Sequence, residues 1–189
     1  MHAIVCALVA SLSAGCSLIG TGRVSLGVTA TTQGAVGLAV AGELGGGVLY
    51  VPDRSASGHG IGYTEGFYLG AGAMPDGWQY ETGGHGELVM LDGDGELRAG
   101  FRAGIVGNRA RGFALAPDLA VCLARARWWD PGQPRLGLEL RAGPLIGVEG
   151  GASLEALRGY VGVSYQAHAT SRSFDPIQAL FRGWETGKH

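Results

Sequence analysis

Lysine is nearly missing from this chain: Lys188 is the single one among 189 residues, beside thirteen arginines. Charged residues of all kinds make up only 16%, against about 25% in an average soluble protein. The formal net charge is −2, so the composition carries no basic footprint for nucleic acid. Cysteine is also scarce, with Cys6, Cys16 and Cys122 alone. Cys6 lies in an apolar N-terminal run and Cys16 at its end, which leaves Cys122 a lone thiol and indicates no disulfide framework. That apolar run, Ala3 to Leu12, is about half the length a transmembrane helix needs. No Gly-rich loop stands between a strand and a helix, so phosphate-cradling motifs are excluded.

Glycine, by contrast, is abundant at 36 residues. It shows no Gly-X-Y period, which excludes a collagen-like chain. Each interior Gly costs a helix about 1 kcal/mol relative to Ala, which argues against helices of ordinary length. Hydrophobic residues reach 46%, too many for a disordered chain.

The dominant pattern is alternation. In residues 96–107, Leu97, Ala99, Phe101, Ala103 and Ile105 fall on one face, and Glu96, Arg98, Gly100, Arg102 and Gly104 on the other. Successive strand residues point to opposite sides, so this is a two-faced strand. The same ribbon begins at Arg23 and recurs to about Ala167. Gln33-Gly34, Pro75-Asp76-Gly77, Asp92-Gly93-Asp94-Gly95, residues 108–111, Asp130-Pro131-Gly132-Gln133-Pro134 and Gly150-Gly151 mark turns, and Pro52 to Gly60 a longer loop. Gly45-Gly46-Gly47 predicts a bulge or bend, and Pro117 a bulge or break. Strands joined by short turns make an antiparallel meander. Eight of them without covering helices leave open edges unless the sheet closes. The expected fold is therefore all-β, an eight-stranded antiparallel up-and-down (meander) barrel over residues 23–172. A C-terminal tail, 173–189, follows, with a short helix near Ile177, Leu180 and Phe181.

Two barrels share this alternation: a soluble cup with an apolar inside, and a membrane barrel with the faces reversed. The polar face carries Glu43, Glu81, Glu87, Glu96, Asp118 and Glu139 together with Arg98, Arg102, Arg141 and Arg158; the rest is largely Gly, Ala, Ser and Thr. That composition suits a narrow lumen, where small residues make room and a few long charged ones pair. Arg98 and Arg102 are candidate partners for Glu139, Glu81 or Glu87. Trp78, Tyr80, Trp128, Trp129, Tyr50 and Tyr63 sit toward strand ends, as membrane-interface girdles do. In these respects residues 23–170 resemble small bacterial outer-membrane β-barrels. The resemblance implies a structural, non-enzymatic protein whose partners are outer-membrane lipids.

At the N-terminus, Leu12-Ser13-Ala14-Gly15-Cys16 resembles the bacterial lipobox. It implies that residues 1–15 are a lipoprotein-type signal peptide, that Cys16 is acylated, and that 16–22 form a linker. An alternative stays open: a lipid-anchored periplasmic soluble barrel binding a small apolar ligand. The short turns after the first, third, fifth and seventh strands favour it, since outer-membrane barrels carry longer loops there.

Other chemistry is weaker. Asp92, Asp94 and Glu96 alternate, but the remaining ligands of a calcium loop are missing. His59 and His85 are isolated by spacing, and His168 with Thr170 or Ser171 has no third partner. Cys122 reads as a small residue of the inner face. No metal, cofactor or catalytic set is expected.

Overall fold

A computed structural model describes residues 16–50, 59–109, 112–125, 134–149 and 151–170. It holds eight strands: β1 (Cys16–Thr31), β2 (Val36–Tyr50), β3 (Gly60–Met74), β4 (Gly77–Asp92), β5 (Gly95–Asn108), β6 (Gly112–Arg125), β7 (Arg135–Gly147) and β8 (Ser153–Thr170). Each pairs antiparallel with the next, and β8 pairs with β1, so the sheet closes into the meander barrel that the alternation predicts. Hairpin glycines supply left-handed backbone at the tight turns, as at Gly34 (φ 83°) and Gly93 (φ 59°).

The closure is staggered. From Ile19, paired residues lead through Gly47, Thr64, Glu87, Gly100, Ala120, Arg141 and Tyr160, and return to β1 at Thr29, ten residues beyond the start. A stagger of that size in eight strands tilts them by about 40° from the barrel axis. Residues one turn of the barrel apart in pairing therefore lie at different heights, and lumen neighbours are not ladder neighbours.

The two ends differ. The connections 32–35, 75–76, 109–111 and 148–152 are short and share one end, the hairpin end. The other end carries the start of β1, the finish of β8, the tight turn 93–94 and the connections 51–59 and 126–134.

Several local expectations need correction. Residues 16–22 are strand rather than linker, because they pair with 50–44 of β2. Gly45-Gly46-Gly47 makes no bulge: β2 keeps a continuous register with β1 and β3. These glycines serve close approach instead, since a Cβ on Gly45 or Gly47 would overlap the carbonyls of Glu65 and Tyr63. Pro117 does not break β6, which pairs through it with Ala103. Its effect falls on the other side, where the β6–β7 ladder is interrupted between Leu115 and Leu119. The register shift in the sheet lies at Leu145/Ile146, on β7 against β8. Residues 126–128 lie outside the described residues, as do residues 1–15, expected to be a signal peptide, and residues 173–189, expected to be a tail.

The two faces differ, with Glu65 of β3 the charge that interrupts the apolar outer face of its strand. Phe67, Leu69, Leu119 and Leu136 are among the most exposed apolar residues, at 79%, 69%, 73% and 69%. Phe101 and Ile105 of β5 also point outward. The lumen holds the buried set, and much of it is charged. Among the described residues, buried apolar side chains form two clusters: Ile19, Leu49, Val89 and Leu91 near the terminal end, and Val106, Ala116, Leu145 and Ala156 near the hairpin end.

Candidate functional site: a closed lumen of alternating charge

Inward residues are odd-numbered on β1, β2, β4 and β7 and even-numbered on β3, β5, β6 and β8. All ten charged residues singled out from the sequence are inward, and all but Glu81 are almost fully buried. The structure adds two more, Arg23 and Arg135, at 3% and 0% exposure. The lumen thus contains six carboxylates and six guanidiniums among the described residues.

Nine of these twelve form one chain in which the sign alternates at every step. Arg135 Nε lies 3.2 Å from Glu96, whose other oxygen accepts from Arg98 Nε at 2.5 Å. Arg98 Nη1 reaches Glu87 at 3.3 Å, and Glu87 Oε1 is 2.5 Å from Arg23 Nη2. Arg23 also donates through Nε to Glu43 Oε2 at 2.8 Å. Glu43 Oε1 then meets Arg102 Nη1 at 2.7 Å, Arg102 reaches Glu139 at 3.2 Å, and Glu139 lies 2.8 Å from Arg141 Nε. Five arginines and four glutamates leave this chain one positive charge in excess.

The remaining three residues supply the opposite excess. Arg158 donates through Nη1 and Nη2 to Glu81 at 3.0 and 2.7 Å, and through Nε to Asp118 Oδ1 at 3.0 Å. The two groups share a small void lined by Arg141, Arg158, Glu81, Asp118 and Tyr160. Charge is therefore balanced over the whole lumen, as burial of ions demands.

Two tyrosines brace the guanidiniums. Arg102 stacks on the Tyr68 ring and Arg141 on the Tyr160 ring, each at 3.9 Å from the centroid, a geometry that adds cation–π attraction in a desolvated site. Glycines make room for both rings: side chains at Gly83 or Gly104 would run into Tyr68, and at Gly27 or Gly162 into Tyr160. Part of the high glycine content thus serves lumen packing.

The free volume is small. Two lumen cavities, both lined by Glu81 and Arg141, have volumes of about 20 Å³ each. That is room for about one water molecule.

The other candidates separate. Asp92 faces His59, with Oδ1 2.9 Å from Nδ1. Asp94 accepts from Arg125 Nε at 2.5 Å, and Glu96 belongs to the lumen chain. The three carboxylates thus serve three different partners. His85 is buried on the lumen face. Cys122 is buried, with Sγ 3.3 Å from Ser164 Oγ. Cys16 opens β1, but its side chain, those of His168 and Thr170, and all of Ser171 lie outside the described residues.

Arg23, Arg135 and Tyr68 were not singled out by sequence reasoning. Arg23 shares parity with Ser25 and Thr29, and Arg135 with Glu139 and Arg141, so the alternation of their strands places both on the polar face. Tyr68 hides between Phe67 and Leu69; only its parity marks it as inward.

The chain matches no protein-family model, and no curated protein is similar to it in sequence.

Proposed function

We propose that the protein is an integral barrel of the bacterial outer membrane, structural and non-enzymatic, with a lumen sealed by paired charges. The observation that carries this reading is the inversion of the two faces. Twenty-nine large apolar side chains on the described strands are exposed around the wall, while the twelve charges of the lumen network are inside. A soluble monomer seldom exposes an apolar patch beyond a few hundred Å², and each such side chain left in water forgoes about 1.5–3 kcal/mol. In a bilayer the same wall is solvated by acyl chains.

The dimensions fit. On β4 the outward residues run from Trp78 to Met90. At about 3.3 Å per residue and a tilt near 40° they span roughly 30 Å along the axis, against an apolar band of about 25 Å in outer-membrane barrels. Trp78 and Tyr80 at one margin and Tyr63 toward the other are exposed outward, in the manner of interfacial aromatics. Strands of 13 to 18 residues exceed the 9–11 that crossing requires, so the barrel extends beyond the band. Removal of residues 1–15 and acylation of Cys16 belong to the same proposal and rest on the lipobox resemblance.

The second reading, a lipid-anchored periplasmic cup, keeps one argument, the short connections at the hairpin end. It also needs an apolar interior pocket, and the lumen positions that would line one carry the charge chain. Fractionation of wild type and Cys16→Ala separates the two. The membrane barrel predicts that both proteins stay detergent-dependent and migrate differently on gels before and after heating. Release of folded Cys16→Ala into the periplasm without detergent would overturn it in favour of the cup.

A further inference from the structure

On the outer wall toward the hairpin end, strands β3 to β6 leave a hollow of about 760 Å³. Thr82 and Gly107 keep it open, and Leu69, Tyr80, Ile105 and Phe113 wall it. The Phe113 ring leans over Gly107, where even a methyl group would meet it at 3.1 Å. A second hollow, about 500 Å³, adjoins it at the hairpin end and is lined by Trp78, Asp76 and Arg109. Tyr80 and Arg109 line both hollows, so the two lie side by side. Arg109 is exposed and is the one cation on either lining among the described residues, while Asp76 accepts from Asn108 Nδ2 at 3.4 Å.

Apolar depth and charge are thus arranged in order: aliphatic and aromatic walls toward the middle of the belt, then Tyr80 and Trp78, then a guanidinium at the margin. We infer that this cleft holds one membrane phospholipid, with an acyl chain along Leu69, Ile105 and Phe113 and its phosphate on Arg109. A chain of methylenes needs no hydrogen-bond partner and fits the walls. A phosphate is the anion that a membrane offers at that depth, and a guanidinium presents it with parallel N–H donors. Trp78 and Tyr80, at the junction of the hollows, suit the glycerol level, where amphipathic rings reside.

The inference rests on the membrane reading, and its test separates the two. The full barrel is purified in detergent, loaded with dioleoyl phosphatidylglycerol or with dioleoylglycerol, which lacks the phosphate, and exchanged into lipid-free detergent. Native mass spectrometry then counts retained lipid. Wild type keeps one phosphatidylglycerol, and Arg109→Gln keeps about tenfold less, the shift that one lost charge-assisted contact produces. Gly107→Leu, which fills the hollow beneath Phe113, loses the lipid as well. Equal retention of both lipids by wild type, or of phosphatidylglycerol by wild type and Arg109→Gln, overturns the phosphate assignment. Full retention by Gly107→Leu overturns the cleft as the chain site. A barrel that binds neither lipid yet still needs detergent and shifts on heating defeats the cleft alone; one that stays folded in plain buffer defeats the membrane reading with it.

Discussion

Glu87→Gln removes a single charge from the middle of the lumen chain while keeping the shape of the side chain. Glu87 is 2% exposed and bridges Arg23 at 2.5 Å and Arg98 at 3.3 Å. The substitution leaves the lumen with one uncompensated positive charge in a site closed to water. Breaking a buried pair from one side costs about 3–5 kcal/mol. Arg23 keeps Glu43 and Arg98 keeps Glu96, so the lower end, about 3 kcal/mol, is expected here. With a urea dependence of about 1–3 kcal/mol per molar, the unfolding midpoint of the barrel in lipid vesicles falls by about 1–3 M. Tryptophan fluorescence during urea titration reads this directly. The double variant Arg23→Gln/Glu87→Gln restores neutrality and should be more stable than the sum of its single variants by about 0.5–3 kcal/mol. Glu149→Gln serves as the control: Glu149 is exposed in the connection 148–152 at the hairpin end, and its removal should change stability by less than about 0.5 kcal/mol. A Glu87→Gln protein as stable as wild type, or strict additivity in the double variant, would refute a dry, coupled network.

Three further outcomes follow from other parts of the molecule. Gly47→Ala places a methyl group against the Tyr63 carbonyl and should cost about 1–3 kcal/mol by overpacking. Gly42→Ala meets nothing within 4 Å and should be neutral or stabilise by up to about 1 kcal/mol; the same urea titration distinguishes them. Planar-bilayer recordings of the purified barrel should show no conductance above the bare membrane, because the lumen voids are about 20 Å³ each and both ends hold apolar clusters; discrete current steps would contradict the sealed lumen. In the turn 93–94, the bond from Arg125 holds the Asp94 carboxyl below the usual aspartate range. A lowered folded-state value means that this contribution to stability is complete above the ordinary aspartate pKa and disappears as pH falls through the lowered one. Carboxyl NMR titration should show Asp94 returning toward the ordinary value in Arg125→Gln.

What could be read from the residues alone follows from the physics of a strand. Period-two alternation reports which side a side chain takes, so Glu43, Arg98, Arg102, Glu139 and the other named charges went to the correct face together. It does not report how far a strand runs. The start of β1 at Cys16 and the extension of β7 through Gly143-Pro144 to Gly147 depend on partners in neighbouring strands. Arg135 was missed for that reason. Nor does alternation report height. Arg102 meets Glu139 and Arg98 meets Glu87, as proposed, but Glu81 belongs to Arg158 instead. Those choices depend on the ten-residue stagger around the sheet, which no single strand encodes. Glycine was the hardest residue to interpret. Gly45 and Gly47 suggested a bend, yet close backbone approach explains them, and Gly104 and Gly162 make space for rings that lie far away in sequence.

The unequal ends of the barrel bear on how such a protein enters a bilayer. Whichever end crosses must carry its connections through hydrocarbon, and polar backbone and side chains set the resistance. The hairpin end brings only residues 32–35, 75–76, 109–111 and 148–152. The opposite end brings the nine-residue connections 51–59 and 126–134 as well as the chain leading out of β8. Insertion led by the hairpin end therefore moves much less polar chain across the membrane, and the long connections stay on the side from which the barrel came. Under the membrane reading proposed above, the same asymmetry gives one side of the membrane a nearly flush rim and the other the long connections.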